Sequence, residues 1–179
     1  MRVLFLYTMH EAQKQFTQKI KSQFPQFFDN CEVLDIGAMD INGNNRYLFT
    51  NYTYTGIDLG EGPNVDVIAP GGAHTAKISK QYDVVISTEC LEHDRHYLKT
   101  LNFMLDRCKS GGLMLFTCAT TGRREHGTTK TTPASSPFTN DYYKNLTEQD
   151  ILIDFTNFEQ YKFEVNHISN DLYFYGIKK

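Results

Sequence analysis

Two short apolar runs, each carrying an aspartate, constrain the fold of this chain more than any other feature. Residues 33–38 read Val-Leu-Asp-Ile-Gly-Ala and include Asp35, and residues 55–58 read Thr-Gly-Ile-Asp and end in Asp58. Such runs are typical of buried parallel strands, and open α/β sheets bind ligands beyond the carboxyl ends of their strands. The two aspartates are 23 residues apart, which matches one strand–helix–strand unit, so both can reach one crevice. A carboxylate after the second strand suits a ribose, since it accepts hydrogen bonds from both hydroxyls. The sequence therefore predicts an adenosine-type cofactor.

The composition is that of a globular domain without an electrostatic preference for polyanions. The chain has 179 residues, of which 40% are hydrophobic and 22% charged, and its net charge is −3. This length suffices for one domain with a core and is short for two. The negative charge disfavours nucleic acid and anionic membranes, and no apolar run reaches the roughly 18–20 residues that span a bilayer. We expect a single domain over residues 1–179, with neither nucleic acid nor membrane as a partner.

The amino terminus and the cysteines indicate a cytoplasmic location. Residues 1–7 are apolar, but the run is too short for a signal-peptide core of about 7–15 residues followed by a cleavage site. We interpret it as a strand or a packing segment. The four cysteines form no C-x-x-C pair, so reduced thiols are the simplest interpretation. These cysteines are Cys31, Cys90, Cys108 and Cys118.

Strand and helix patterns alternate along the chain, which favours parallel βαβ units. Apolar residues spaced by four predict a helix over 11–24 that ends at Pro25, and a second apolar stripe from Tyr97 to Cys108 predicts another helix, stopped by the glycines at 111 and 112. A short helix is expected around residues 47–49. Strands are predicted at residues 32–37, 52–57, 65–69, 82–87 and 113–117.

The carboxyl-terminal third begins with an unpatterned stretch. Residues 119–145 show no apolar periodicity, and a loop of that length is usually a functional lid or a disordered segment. Residues 147–150 then resemble a helix start, with Ile151, Leu152 and Phe155 expected to face inward. Two alternating runs around residues 169–171 predict a hairpin, and therefore an antiparallel pair at one edge of the sheet.

The order of these pieces resembles the class I S-adenosylmethionine-dependent methyltransferases, especially the small single-domain group called type 11. The resemblance is carried by residues 33–38, by 54–59 together with 62–67, and by 82–93, and it extends to the glycine step at 111–115 and the terminal hairpin. It implies an α/β, Rossmann-like, doubly wound sheet of seven strands, mostly parallel, with one antiparallel strand from the carboxyl-terminal hairpin. It also implies S-adenosylmethionine as the cofactor.

The resemblance assigns the cofactor contacts to three strand ends. It places Asp35 and Gly37 at the methionine part of the cofactor, Asp58 at the ribose, and residues 87–89 where cofactor and substrate meet. The loop from Gly71 to His74 is our candidate for the adenine. The cofactor contacts that the resemblance implies are Asp35, Ile36, Gly37, Ala38, Asp58, Leu59, Ser87 and Thr88.

The loop after the first strand departs from the family pattern. The family usually has several glycines there, whereas residues 38–43 read Ala-Met-Asp-Ile-Asn-Gly. A subgroup with an Asp-Ile-Asn-Gly loop is similar to this chain, so we still expect cofactor binding. The same loop lacks the G-x-G-x-x-G pattern of nicotinamide dehydrogenases, which disfavours that class.

Three residues are candidates for catalysis. The resemblance implies a cofactor-side or substrate-side position for Glu89 and His93, and His126 lies in the loop above the fifth strand. A histidine near the transferred methyl group can accept the proton of an acceptor hydroxyl. A histidine that fixes the start of a helix is the alternative for His93. No metal is expected, because Glu92 and His93 are sequence neighbours and such neighbours do not face each other on a helix.

Charged residues at the head of the long loop are candidates for substrate binding. Arg123 or Arg124 could hold a carboxylate or phosphate through two hydrogen bonds, with Glu125 beside them. Solvated loop charges are the alternative.

The expected reaction is methyl transfer to a small polar acceptor, an oxygen such as a sugar hydroxyl. A non-catalytic nucleotide-binding module and a nucleotide-sugar oxidoreductase stay open. The Asn/Asp-Pro-Pro-aromatic motif of amino-methylating DNA enzymes is absent after the fourth strand.

Overall fold

A computed structural model describes residues 9–73 and 78–179, without the side chains of residues 9 and 10. Residues 1–7 and His74, which entered the sequence predictions, lie outside the described residues. The two helices are α1 (Met9–Gln23) and α2 (Tyr97–Arg107). The strands are β1 (Glu32–Ile36), β2 (Thr53–Asp58), β3 (Val67–Ile68), β4 (Tyr82–Thr88), β5 (Cys108–Ala119), β6 (Phe158–Asn166) and β7 (Asp171–Lys178).

The seven strands form one sheet in the order β3-β2-β1-β4-β5-β7-β6. Strands β1 to β5 pair in parallel, and β7 runs antiparallel between β5 and β6. The hairpin thus inserts its second strand into the sheet and leaves its first at the edge. The α/β fold with a mostly parallel, seven-stranded sheet and an antiparallel carboxyl-terminal hairpin is confirmed.

Each face of the sheet packs against one of the helices. Phe16 and Ile20 of α1 lie in the core on one face, where the ring of Phe16 stacks on Tyr173 at 4.5 Å. Leu101 and Met104 of α2 lie in the core on the other face. Because the central strands are covered on both sides, their side chains are apolar without alternation, which is why their sequences read as continuous apolar runs.

The prediction of a helix that begins at residue 147 is wrong. Thr147 and Asp150 cap each other, but they close only a 3-10 turn over Glu148–Asp150. Beyond it Ile151 and Ile153 are buried while Leu152 is 67% exposed, so burial alternates as in an extended chain. A second 3-10 turn, Phe155–Asn157, then leads into β6. The capping residues are those of a helix start, but the residues after them do not continue the helical period.

Other boundaries differ from the predictions by a few residues. The α2 helix ends at Arg107 rather than at the glycines 111 and 112, which belong to the start of the long strand β5. Strand β3 is shorter than predicted, and the short helix around residue 47 is a 3-10 turn, Arg46–Leu48. All four cysteines are free, as predicted. Within residues 9–73 and 78–179, no helix combines the length and the apolar character needed to cross a membrane.

Candidate functional site

A cavity of about 590 Å³ lies at the carboxyl ends of β1, β2 and β4. This volume is within the range of small-molecule sites, and the location is the one that open α/β sheets use for ligands. Both strand-end aspartates, Asp35 and Asp58, line it. Of the cofactor contacts implied by the resemblance, the cavity lining includes Asp35, Ile36, Gly37, Ala38, Asp58, Leu59 and Thr88.

Asp35 is a buried carboxylate with one oxygen paired and one unpaired. Its Oδ2 accepts hydrogen bonds from the hydroxyl of Tyr54 at 2.5 Å and from the side-chain amide of Asn45 at 3.4 Å. Its Oδ1 is buried and makes no hydrogen bond of normal geometry with the described residues. Burial raises the pKa of Asp35 to about 6, although both hydrogen bonds oppose the rise. The unpaired oxygen is therefore able to bind a cationic group that enters the cavity.

Asp58 organises the loop after β1. Its Oδ2 accepts a hydrogen bond from the backbone N–H of Met39 at 2.9 Å, and its Oδ1 accepts one from the N–H of Leu59 at 2.7 Å. The side-chain amide of Asn64 donates to the carbonyl of Ala38 at 2.8 Å. The loop lacks the additional glycines of the family pattern, and these contacts hold its conformation instead. A carboxylate has about four acceptor positions, so Asp58 retains two for a ligand.

Ser87 does not lie in the cavity. It is fully buried, and its hydroxyl donates to the carbonyl of Ile36 at 2.8 Å, which ties β4 to β1. The cofactor contact predicted for Ser87 is therefore not supported, because its one donor is used within the sheet. The next residue, Thr88, does line the cavity, and its hydroxyl accepts a hydrogen bond of 3.0 Å from Asn45.

Glu89 adopts a backbone conformation that is rare for a residue with a side chain. Its φ is +52°, and two hydrogen bonds with Thr117 of β5 hold it there. The N–H of Glu89 donates to the carbonyl of Thr117 at 2.9 Å, and Oε1 accepts from that residue's hydroxyl at 2.9 Å. Burial and the nearby Asp171 raise the pKa of Glu89, while Arg123 opposes the rise. Left-handed conformations of this kind concentrate at functional sites.

The structure gives Arg123 a role other than the predicted substrate contact. Its guanidinium is buried and forms ion pairs with Asp171 and, at 3.2 Å, with Glu89. It also donates to the carbonyl of Ser169 at 2.9 Å, so it fastens the β6–β7 turn to the end of β4. Arg123 is absent from the cavity lining. The prediction that it binds a substrate is therefore not supported, because both terminal nitrogens of its guanidinium donate to the protein's own acceptors.

Arg124 and Glu125 lie at the surface. Both are exposed, and neither belongs to the cavity lining. The Oε1 of Glu125 accepts a hydrogen bond from Thr128 at 2.7 Å, which stabilises a turn of the long loop. Their assignment to the substrate stays a prediction that the geometry does not support.

His93 and His126 lie together on the wall of the cavity. Their ring centroids are 4.9 Å apart and nearly perpendicular, and the ring of Tyr143 packs on both, at 5.4 Å from His93 and 5.0 Å from His126. Burial, together with the nearby charges of His126 and Arg123, lowers the pKa of His93 to about 4. His93 belongs to a 3-10 turn, Leu91–His93. The helix geometry assumed in the argument against a metal is therefore absent at Glu92 and His93.

Part of the long loop forms the roof of the cavity. Residues 135–139 and Tyr142 contribute to its lining. The ring of Phe138 lies over Gly60, where an added Cβ would be only 2.0 Å from the Cζ atom. On the opposite wall, residues 71–73 line the cavity near the end of β3. The adenine contact expected there stays a prediction.

Sequence reasoning missed Asn45, the residue that connects the polar groups of the site. Its side-chain amide donates to Asp35 and Thr88, and its oxygen accepts from Gln13 of α1 at 3.2 Å. It also missed Tyr54, whose hydroxyl is bound to Asp35. In the sequence, the asparagines at 42, 44 and 45 resemble an ordinary polar turn. The available signal is that Asn45 directly precedes the 3-10 turn Arg46–Leu48, whose Leu48 is buried, so that its amide is carried toward the interior.

Comparison with known proteins gives a family match. The model of a protein family described as "Methyltransferase domain" matches residues 9–145. No curated protein sequence matches the chain significantly.

Solved structures share the fold. Phosphoethanolamine N-methyltransferase 2 of Haemonchus contortus, in complex with phosphomonomethylethanolamine and S-adenosylhomocysteine, superimposes with a TM-score of 0.62 at 17% identity, covering 92% of this chain and 52% of that one. The N-methyltransferase NodS of Bradyrhizobium japonicum gives 0.57 at 11%, covering 93% and 96%. The carbon methyltransferase CurJ gives 0.57 at 18%, covering 93% and 53%. The chain thus spans about half the length of the first and third of these proteins.

Proposed function

The chain belongs to the family of methyltransferase domains, with S-adenosylmethionine as its cofactor, and on that premise we propose that it methylates a hydroxyl oxygen of a small polar acceptor. One observation carries the proposal: two carboxylates and two imidazoles, from Asp35, Asp58, His93 and His126, line a single cavity. The carboxylates suit the cofactor, and the imidazoles suit an acceptor that must lose a proton.

The cofactor side rests on the strand-end aspartates. Asp35 offers a buried, unpaired oxygen to the ammonium group of the methionine part. Asp58 has two acceptor positions left for the ribose hydroxyls, since its contacts with Met39 and Leu59 use the other two. When bound, S-adenosylmethionine supplies an electrophilic methyl group on a positively charged sulfur. The buried Asp35 and the half-buried Asp58 favour that positive charge over a neutral ligand of the same shape.

The acceptor side rests on the histidine pair. A hydroxyl attacks the methyl carbon well only if its proton is removed as the bond forms, and a neutral imidazole can accept that proton. The lowered pKa of His93 keeps its ring neutral at pH 7, although it also makes the ring a weaker base. His93 and His126 face the cavity from the end of β4 and from the long loop. The protein has to hold the acceptor oxygen about 3 Å from the methyl carbon, in line with the bond that breaks. Glu89, held by Thr117 and Arg123, lies on the same wall.

An acceptor screen tests the proposal. Purified protein is incubated with S-adenosylmethionine labelled in its methyl group and with panels of hydroxyl, amine and carbon-acid acceptors. We expect labelled methyl ethers from at least one hydroxyl acceptor. His93→Gln and His126→Gln should each reduce the rate by about 10²–10⁴-fold, while His167→Gln, at the exposed β6–β7 turn, should not.

Two outcomes contradict the proposal. Label that appears only on nitrogen or carbon would overturn the choice of oxygen. Binding of S-adenosylhomocysteine without transfer to any acceptor would favour the non-catalytic module instead. Thermal unfolding with S-adenosylhomocysteine and with NAD makes a direct comparison of the two nucleotide classes, because a ligand that binds only the folded state raises the melting temperature.

A further inference from the structure

We propose that Glu92, His93 and His126 bind one divalent transition-metal ion, of the zinc or iron(II) class, at the inner wall of the cavity. Each of these residues offers one ligand atom, and the three atoms lie within 4.8 Å of one another. Two imidazoles with one carboxylate are the ligand set of many zinc enzymes and of non-haem iron(II) sites. The structure therefore holds a ligand set of recognised chemistry, contributed by two separate segments.

The spacing is close to that of a loaded site. A tetrahedral zinc ion with bonds of about 2.0–2.2 Å keeps its ligand atoms roughly 3.3 Å apart. The observed separations exceed this by about an ångström and a half at most, which side-chain rotation can close. His93 and His126 also line the cavity, so an ion can enter from it, and a further coordination position can face it.

Glu92 supplies independent evidence for a cation. Its side chain is 0% exposed, and neither carboxylate oxygen makes a hydrogen bond of normal geometry with any residue of the described chain. Folded proteins rarely leave a buried carboxylate in this state, because desolvation without a partner is costly. The guanidinium of Arg123 forms its ion pairs with Asp171 and Glu89 instead. A bound ion would supply the missing partner.

His93 and the backbone around His126 support the same reading. The Nδ1 atom of His93 is buried and makes no hydrogen bond of normal geometry within residues 9–73 and 78–179. Gly127 has a φ of +66°, and a Cβ added to it would lie 2.7 Å from the Cε1 atom of His93. Only glycine permits this approach, which brings the backbone next to His126 against the His93 ring.

Metal binding and proton acceptance use the same imidazole nitrogens. An ion held by His93 and His126 occupies lone pairs that the proposed function uses to accept a proton, so the two states exclude each other in one molecule. Binding of the ion needs neither cofactor nor acceptor. The inference therefore stands or falls separately from the choice of acceptor.

The test is a metal titration of the full chain without cofactor. Protein stripped with a chelator is titrated with Zn²⁺ by calorimetry and with Co²⁺ by visible absorption. We expect one ion per chain, a Zn²⁺ dissociation constant below about 1 µM, and Co²⁺ bands typical of nitrogen and oxygen ligands. Glu92→Gln and His126→Gln should weaken binding by more than about tenfold, whereas His167→Gln should bind as the parent does.

Two results would overturn the inference. One is an absence of saturable binding by the parent chain. The other is a stoichiometric ion whose affinity is the same in the parent and in His126→Gln. His126 is only half-buried, so its substitution is compatible with folding even if Glu92→Gln is not. Far-ultraviolet circular dichroism checks that each variant is folded before its titration is interpreted.

Discussion

Gly37 approaches Cys90 so closely that a Cβ atom added to the glycine would lie 2.4 Å from the Cys90 Sγ. The φ of Gly37 is +75°, in the region that favours glycine. Gly111 has the same φ of +75°, but an added Cβ there would have nothing within 4 Å beyond its chain neighbours. The two glycines therefore share one backbone requirement but differ in how crowded the position of an added Cβ would be.

Alanine substitutions at these glycines should separate strain from crowding. Gly111→Ala should lower the free energy of unfolding by about 1–2 kcal/mol through backbone strain. Gly37→Ala should lower the free energy of unfolding by about 1–3 kcal/mol more, because the loop after β1 and the segment after β4 must move apart. It should also weaken binding of S-adenosylhomocysteine. Urea unfolding measures the change in stability, and calorimetry measures the change in binding. Equal losses of stability in the two variants would show that Cys90 can move aside without cost.

Asp58→Asn should weaken cofactor binding while the fold persists. The substitution keeps the size of the side chain but removes its charge and part of its acceptor capacity. We expect the dissociation constant of S-adenosylhomocysteine to rise about ten- to hundredfold, as for the loss of a charged hydrogen bond. Isothermal calorimetry measures the change.

Asp66→Asn is the matched control for Asp58→Asn. Asp66 precedes β3 and accepts a hydrogen bond of 2.8 Å from the N–H of Gly56, but it does not line the cavity. Its substitution should leave affinity for S-adenosylhomocysteine unchanged. Equal affinity in parent, Asp58→Asn and Asp66→Asn proteins would remove Asp58 from the proposed ribose site.

The central fold could be predicted because its physical signals are local. Strands covered on both faces must be apolar throughout, so the runs around residues 33 and 84 were visible without any knowledge of their neighbours. The carboxyl ends of adjacent parallel strands meet at one edge, which was enough to bring Asp35 and Asp58 to one cavity. The carboxyl-terminal hairpin could be predicted in the same way, from the alternation of apolar and polar residues along its two strands.

Roles that depend on distant partners could not be predicted. Arg123 reads as a loop charge until Asp171, 48 residues later, is seen to pair with it. Ser87 reads as a strand-end hydroxyl until its hydrogen bond to the carbonyl of Ile36 is seen. The 3-10 turn after Thr147 has the same capping residues as a true helix, and only the packing of Ile151 and Ile153 decides its length.

Arg123→Met should destabilise the protein strongly. It removes the cation from a buried cluster and leaves Asp171, which is 0% exposed, and Glu89 without their ion pairs. Breaking a buried pair in this way costs about 3–5 kcal/mol. Arg124→Met, one residue away and exposed, should change the free energy of unfolding by no more than about 0.5 kcal/mol. Chemical unfolding measures the free energy of unfolding of both variants. Similar losses in the two variants would mean that Arg123 does not stabilise the cluster.

Asp35→Asn should stabilise the protein at neutral pH and abolish its affinity for the cofactor. Burial raises the pKa of Asp35 to about 6 from a usual value of 3.8. A raised pKa means that the folded state prefers the protonated acid. The contribution of Asp35 to stability is therefore complete below about pH 4 and is lost as the pH rises through 6. Tyr54 and Asn45 donate hydrogen bonds to it, Asp58 raises its pKa and Arg46 lowers it.

The experiment compares the free energies of unfolding of the parent and Asp35→Asn proteins from pH 4 to pH 8. The asparagine carries no charge at any of these values, so the difference between the two proteins should move in favour of the variant by about 2.5 kcal/mol over that range. S-adenosylhomocysteine should raise the melting temperature of the parent only. A pH-independent difference would show that Asp35 is ionised in the folded state at no cost, and retained affinity for S-adenosylhomocysteine would show that its unpaired oxygen does not bind the cofactor.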